Sequence, residues 1–170
     1  MAKSLWRRVL LPSHRPEELE LPRVLVITVS TGDESYYRSL RALGQWDIVI
    51  TGSVPEALRL LTTQAFPIVL CDRDLPGRDW REVLTSIVES SPQICFLLTS
   101  RVNDEYLWRE LVTHGGYDIL AKPLADLVVM QTLQRAWSYW KTKPPPQAPA
   151  VLDCRGLRRR FRLPVGPSSL

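Results

Sequence analysis

The chain has 170 residues, which is room for one globular domain and its ends, and 45% of them are hydrophobic against 24% charged. This balance is typical of a protein that buries a core, so whole-chain disorder is excluded. No apolar run approaches the roughly 20 residues that a membrane-spanning helix needs. The apolar stretch near the start, Val9 to Leu11, is too short for a signal peptide. We therefore expect neither a membrane span nor a secretory leader.

The net charge of +4 is unevenly distributed along the chain. Residues 141–170 carry seven basic side chains and one acid, a net +6, which leaves −2 for residues 1–140. Pro144 to Pro146 favour an extended spacer, so residues 142–170 are interpreted as a solvated, proline-rich basic tail that is dispensable for folding. The alternative is a nucleic-acid contact through Arg155 to Arg162, but four arginines around one Phe are hardly a specific motif.

Cysteines and histidines are few. The three cysteines form no CxxC pair, and Cys71 and Cys95 lie inside apolar runs, where free thiols behave as small hydrophobic groups. This usage favours a reducing cytoplasm. His14 and His114 are the only histidines. Two histidines this far apart in sequence do not favour a histidine-based metal site or a catalytic triad.

Five short apolar runs predict five buried strands. Residues 1–22 show no sustained apolar period and are predicted to be a lead-in, so that structure starts at Arg23. The predicted strands are Val24–Ile27, Ile48–Ile50, Ile68–Cys71, Ile94–Leu98 and Ile119–Ala121. The segments between them carry helical patterns.

Capping residues mark the starts of these helices. The predicted caps are Thr31, Ser53, Asp79 and, for the fourth helix, Asn103 or Asp104. Each of the first three stands three residues before a glutamate, as in a capping box. A fifth helix is predicted from Ala125 to Trp140, and Tyr36, Leu40 and Leu43 form the predicted apolar stripe of the first.

Strands that alternate with helices of this length imply right-handed βαβ units and a parallel sheet covered on both faces. We therefore predict an α/β domain of (βα)5 type over residues 23–141. In such sheets, the side chains that bind ligands lie at the carboxyl ends of the strands.

The strand ends carry an acid, hydroxyls and an ammonium. They are Thr28 and Val29 after the first strand, Asp72 after the third, Thr99 and Ser100 after the fourth, and Lys122 after the fifth. A carboxylate that accepts a phosphoryl group needs a cation and a hydroxyl donor beside it. Asp72, Lys122 and Thr99 fit these roles, and a structural ion pair between Asp72 and Lys122 is the alternative.

Three segments resemble the receiver domain of bacterial response regulators, the CheY-like family, over about residues 23–140. They are residues 68–79 (IVLCDRDLPGRD), 96–100 (FLLTS) and 114–123 (HGGYDILAKP). The resemblance implies a flavodoxin-like, doubly wound five-stranded sheet of order 2-1-3-4-5. It further implies that Asp72 is the phosphoacceptor and that Thr99 and Lys122 contact the phosphoryl group.

The chain departs from the family at two places. Receivers end the first strand with an acidic pair that holds Mg²⁺, and here Thr28 and Val29 replace it. We expect Mg²⁺ binding to be weak at best, with no other cofactor, because too few carboxylates remain. Asp33 and Glu34 could substitute, but a capping role explains them more simply. At the switch position, Ile119 replaces the usual Tyr or Phe.

These observations predict an atypical receiver, or pseudo-receiver, of a two-component system that works by protein binding and not as an enzyme. The expected partner is a histidine kinase, an output protein or a second copy, bound through the fourth helix, fifth strand and fifth helix, where Trp108 and Arg109 lie. The first alternative is an ordinary receiver that is phosphorylated at Asp72. Flavin or nucleotide enzymes share such sheets, but their glycine-rich phosphate loops are absent.

Overall fold

A computed structural model describes residues 21–143 of the chain. Most of the predicted lead-in (residues 1–22) and of the predicted tail (residues 142–170) lies outside the described residues, and so do Arg155 to Arg162. The proposed division of the chain into lead-in, domain and tail therefore stays a prediction.

Five strands and five helices alternate in the described part of the chain. The strands are β1 (Arg23–Ile27), β2 (Asp47–Thr51), β3 (Ile68–Asp72), β4 (Cys95–Ser100) and β5 (Asp118–Ala121). The helices are α1 (Thr31–Ala42), α2 (Val54–Thr63), α3 (Trp80–Ser90), α4 (Glu105–Thr113) and α5 (Asp126–Thr142). All neighbouring strands pair in parallel, in the order β2-β1-β3-β4-β5. The predicted fold class and strand order are confirmed.

The start of α1 differs from the prediction by one residue. Ser30, and not Thr31, is the N-cap, because the Ser30 Oγ accepts a hydrogen bond of 3.3 Å from the backbone N–H of Asp33. The apolar face shifts accordingly: Tyr37 and Leu40 are buried, whereas Leu43 lies beyond the helix end and is exposed.

The remaining predicted caps are confirmed. Ser53 accepts from the backbone N–H of Glu56, and Asp79 accepts from that of Arg81. Of the two N-caps predicted for α4, Asn103 and Asp104, the structure has Asp104. Local sequence therefore sets where three of the four predicted helix starts lie.

The sheet separates two layers of core. Side chains of β3 alternate between them: Val69 and Cys71 pack on the side of α2, α3 and α4, whereas Ile68 and Leu70 pack on the side of α1 and α5. The alternation of a strand directs the next residue, Asp72, toward α1 and α5. None of the helices within residues 21–143 has the length and apolar character needed to cross a membrane.

Candidate functional site

Asp72 ends β3 and is buried. Its Oδ1 accepts a hydrogen bond of 3.2 Å from the backbone N–H of Asp74. Its Oδ2 accepts one of 2.7 Å from the Lys122 Nζ, which lies just beyond β5. The two residues are 50 positions apart in sequence, and the parallel pairing through β4 brings them to the same edge of the sheet.

A second carboxylate binds the same ammonium. Asp33, in the first turn of α1, accepts a hydrogen bond of 2.6 Å at its Oδ2 from the Lys122 Nζ. Its side chain does not cap the helix, since Ser30 has that role. The neighbouring Glu34 instead pairs with Arg38 on the exposed surface of α1. The capping role preferred for Asp33 belongs to Ser30, and the Asp33 side chain binds Lys122 instead.

The pKa of Lys122 is raised by its surroundings. Burial acts to lower the pKa because it disfavours the charged ammonium, but hydrogen bonds and charge interactions with Asp33 and Asp72 outweigh it. Tyr37 is buried near the same carboxylates, and burial, aided by the charges of Asp33 and Asp72, raises the pKa of its phenol. At neutral pH the site therefore holds a charged ammonium and a neutral phenol.

Thr99 lies beside Asp72 in the adjacent strand. The Cα atoms of the two residues are paired in the β3–β4 register. The Thr99 hydroxyl donates a hydrogen bond of 3.4 Å to the carbonyl of Cys71, so it contacts the main chain of β3. The structure thus places Thr99 beside Asp72 at the sheet edge, and its role as a phosphate contact stays a prediction.

Thr28 and Val29, the two residues after β1, do not join the ion pair of Asp72 and Lys122 and differ from each other in exposure. Thr28 is buried, and its Oγ1 accepts a hydrogen bond of 3.1 Å from the backbone N–H of Ser30. Val29 is 50% exposed and brings no polar atom to the edge. The Thr28 hydroxyl therefore supports the cap of α1, while Val29 contributes no ligand.

Ile119 lies in the middle of β5 and is 9% exposed. It belongs to the core on the side of α2, α3 and α4, together with Leu107 and Leu111 of α4. The switch position predicted from the sequence is thus filled by an aliphatic side chain that packs inward.

The fold and these motifs agree with a known family. Residues 30–134, well over half of the chain, match the model of the response regulator receiver domain. The chain belongs to the response regulator receiver domain family. It is therefore a receiver domain of the two-component signalling type.

Solved receiver structures share its fold. A CheY-like receiver from Methanospirillum hungatei is 15% identical, with a TM-score of 0.65 over 72% of this chain and 98% of the other. The signal receiver domain of an HD domain-containing protein from Pseudomonas fluorescens is 20% identical, with a TM-score of 0.66 over 73% and 100%. Chemotaxis protein CheY4 of Vibrio cholerae is 17% identical, with a TM-score of 0.64 over 69% and 99%. No curated protein sequence matches the chain.

Receiver domains that carry the acidic pair hold Mg²⁺, and the residues present here do not fit that ion. Between residues 21 and 143 no group of three or more His, Cys, Asp or Glu side chains is arranged to hold a metal. Mg²⁺ demands near-octahedral oxygen ligation and is reluctant to lose its waters. Two carboxylates that already share an ammonium are a poor ligand set for it.

Sequence reasoning considers Asp33 only as a substitute metal ligand, prefers a capping role for it, and misses its contact with Lys122. The available signal was its position in the first turn of the helix that follows β1, next to the strand end from which the acidic pair is missing. A carboxylate there was interpreted as a helix-start residue, because acids are common in first turns. Only its distance from Lys122 assigns it to the site.

Proposed function

We propose that this receiver domain is an atypical one, which recognises a protein partner and undergoes little or no Mg²⁺-dependent phosphorylation at Asp72. The end of β1 carries the proposal. Thr28 uses its hydroxyl to bind the backbone of Ser30, and Val29 is an exposed aliphatic side chain. Phosphoryl transfer of this kind relies on a metal ion to neutralise the charge on the transferred group. Without the acidic pair, that ion is poorly held.

The switch position supports the same conclusion. Ile119 has no hydroxyl and no ring that could move between the core and the solvent, and it is packed inward. A ligand or modification shifts a conformational equilibrium only through different contacts in the two states. We therefore infer that Asp72 is weakly coupled to the surface of α4 and β5.

The ion pair of Lys122 and Asp72 supports a domain that stays in one conformation. The Lys122 Nζ lies 2.7 Å from the Oδ2 of Asp72. Opposite charges in contact favour the arrangement that brings them together, although loss of hydration offsets part of the gain. The domain then acts by binding and not as an enzyme, and it needs no cofactor. We propose the cytoplasm as its compartment, since Cys71 and Cys95 are free buried thiols.

The surface of α4, β5 and α5 is the proposed contact region for a histidine kinase, an output protein or a second copy. Aromatic and aliphatic side chains are exposed there: Tyr106, Trp108 and Val112 on α4, and Leu127, Val128 and Tyr139 on α5. Tyr106 is 76% exposed. Exposed aromatic side chains and arginines are typical of the residues that dominate binding energy at interfaces. A groove lined by Tyr117, Gln131, Gln134, Arg135 and Ser138 adds polar groups next to β5.

The first test is direct phosphorylation. The full chain is incubated with acetyl phosphate and Mg²⁺, and its intact mass is measured at once, in parallel with a receiver that carries the acidic pair. We expect the phosphoryl adduct on the parallel receiver only. An adduct on this chain that disappears in Asp72→Asn would show that it is an ordinary phosphorylated regulator.

The second test concerns the contact surface. Arg109 on α4 and Arg38 on α1 each form an exposed ion pair with a glutamate one helical turn away, so they make a matched pair. We expect Arg109→Ala to weaken self-association by ~1 kcal/mol or more in sedimentation experiments, and Arg38→Ala to leave it unchanged. Equal effects of the two variants would exclude this surface as the dimer contact.

A further inference from the structure

The ion cluster of Asp33, Asp72 and Lys122 joins two carboxylates to one ammonium. The Lys122 Nζ donates to the Oδ2 of Asp33 at 2.6 Å and to the Oδ2 of Asp72 at 2.7 Å. The side chains are 18%, 7% and 13% exposed for Asp33, Asp72 and Lys122. An ammonium has three N–H donors and can serve both acids at once. The three residues come from α1, β3 and the end of β5, so the cluster ties three elements together.

The residues after β1 hold Asp33 in this cluster. The backbone N–H of Ser30 donates to the Thr28 Oγ1 at 3.1 Å, and the Ser30 Oγ accepts from the backbone N–H of Asp33 at 3.3 Å. These two bonds set where α1 begins and hence the direction in which its first-turn side chains point. The Thr28 hydroxyl thus acts on the cluster indirectly, by fixing the helix that carries Asp33.

We infer that the ammonium of Lys122 takes the place of a divalent cation in this domain, and that Asp33 is the second carboxylate that holds it. The inference rests on the proposed function, because it explains how the carboxyl edge stays ordered when Mg²⁺ is poorly held. A divalent ion would neutralise two carboxylates, whereas the single ammonium of Lys122 contacts both acids and offsets one of their two negative charges. Asp33 is a positioning residue for Lys122.

The cluster determines whether the carboxylate oxygens of Asp33 and Asp72 are available to a metal ion. With the ammonium present, both Oδ2 atoms are occupied by N–H donors, and a metal would have to displace the lysine. If the ammonium is removed, the buried carboxylate of Asp72 and the partly buried one of Asp33 lie close together without compensation. Oxygen ligands in that state are the kind that hard divalent cations bind.

The test replaces the ammonium and offers a divalent cation. Lys122→Met is compared with the unchanged chain and with Lys141→Met, whose lysine lies near the end of α5 over the Trp137 ring. Melting temperatures are measured in EDTA and in MgCl₂ at matched ionic strength. We expect Mg²⁺ to raise the melting temperature of Lys122→Met only, and the gain to disappear when Asp33→Asn is added.

A folded Lys122→Met chain with no response to Mg²⁺ would overturn the inference, and so would a response that survives Asp33→Asn. These outcomes leave the proposed function standing, since that fails only if the unchanged chain is phosphorylated at Asp72.

A second measurement does not depend on the folding of Lys122→Met. The pKa of Lys122 is followed by NMR of its ε-methylene group in the unchanged chain, in Asp33→Asn and in Glu34→Gln. Glu34 is the matched control because it is the adjacent acid and pairs with Arg38. We expect the pKa of Lys122 to fall in Asp33→Asn and to stay unchanged in Glu34→Gln. Equal pKa values in all three chains would overturn the role of Asp33.

Discussion

The two parts of the sheet's carboxyl edge carry different kinds of polar contact. At the ends of β3 and β5, Asp72 and Lys122 form a partly buried ion pair that a third residue, Asp33, extends. At the end of β1, the Thr28 hydroxyl binds the main chain and Val29 is exposed. The first part joins charged side chains, and the second has a hydroxyl that serves the main chain and an exposed aliphatic side chain.

This difference means that the two parts of the edge contribute to the domain in different ways. The ammonium of Lys122 has carboxylate partners inside the protein, Asp72 and Asp33. The β1 end supports the fold through a helix cap. Changes made at one part or the other should therefore have different consequences.

The largest effect is expected from Lys122→Met, measured by urea denaturation in EDTA at pH 7. Loss of the ammonium leaves the buried Asp72 and the partly buried Asp33 uncompensated and should lower the free energy of unfolding by about 2 kcal/mol. Asp72→Asn should cost less, because Lys122 keeps Asp33 as its partner. Equal losses in the two variants would argue against a shared ammonium.

Alkaline pH should remove part of the same stabilisation. The pKa of Lys122 is raised in the folded protein, so its contribution is complete below the unfolded pKa of about 10.4 and is lost as pH rises through the folded value. The difference in melting temperature between the unchanged chain and Lys122→Met should therefore shrink above that pH. A difference that stays constant into this range would exclude titration of Lys122 as its source.

Acids introduced at the end of β1 should give this part of the sheet edge carboxylates, as the β3 end already has in Asp72. Thr28→Asp combined with Val29→Asp adds carboxylates beside Asp72, and we expect Mg²⁺ affinity, measured by calorimetric titration, to increase by about tenfold or more, ~1.4 kcal/mol. Without metal the variant should be less stable, since like charges are brought close together. Unchanged affinity would mean that the edge lacks room for the ion.

Thr28→Val should have the smallest effect of the four. It keeps the shape of the side chain and removes the acceptor for the Ser30 N–H, which should cost about 1 kcal/mol of stability. The matched control is Thr51→Val, whose hydroxyl serves the exposed backbone of Ser53 in the same way at the end of β2. A cost at Thr28 no greater than at Thr51 would contradict a special role for the α1 cap.

Most of the fold was accessible to sequence reasoning because its signals are local. The apolar runs of β1, β3 and β4 contain long stretches of buried residues, and such runs are recognisable without knowing their neighbours. The caps at Ser53, Asp79 and Asp104 depend on backbone groups two or three residues away. The strand order followed from the resemblance to receivers, and the structure confirms it.

The site was accessible only in part. Asp72, Thr99 and Lys122 were assigned to one edge because parallel strands bring their carboxyl ends together, and the structure places them there. Asp33 was not, because its partner is 89 positions away in sequence and belongs to a different element. A side chain on a helix reaches the sheet edge only at a particular rotation of that helix. The apolar periodicity of the sequence does not give this rotation.

The sequence by itself determined the alternation of strands and helices, the buried faces of the sheet and the absence of an acidic pair after β1, because each depends on residue types at short spacing. The tertiary structure decided which acid shares the ammonium of Lys122. Successive residues of a helix are about 100° apart around its axis, so only one rotation of α1 turns Asp33 toward Lys122, and the Ser30 cap, supported by Thr28, fixes the start of that helix. Packing of α1 on the sheet through Tyr37 and Leu40 then brings Asp33 to the ammonium.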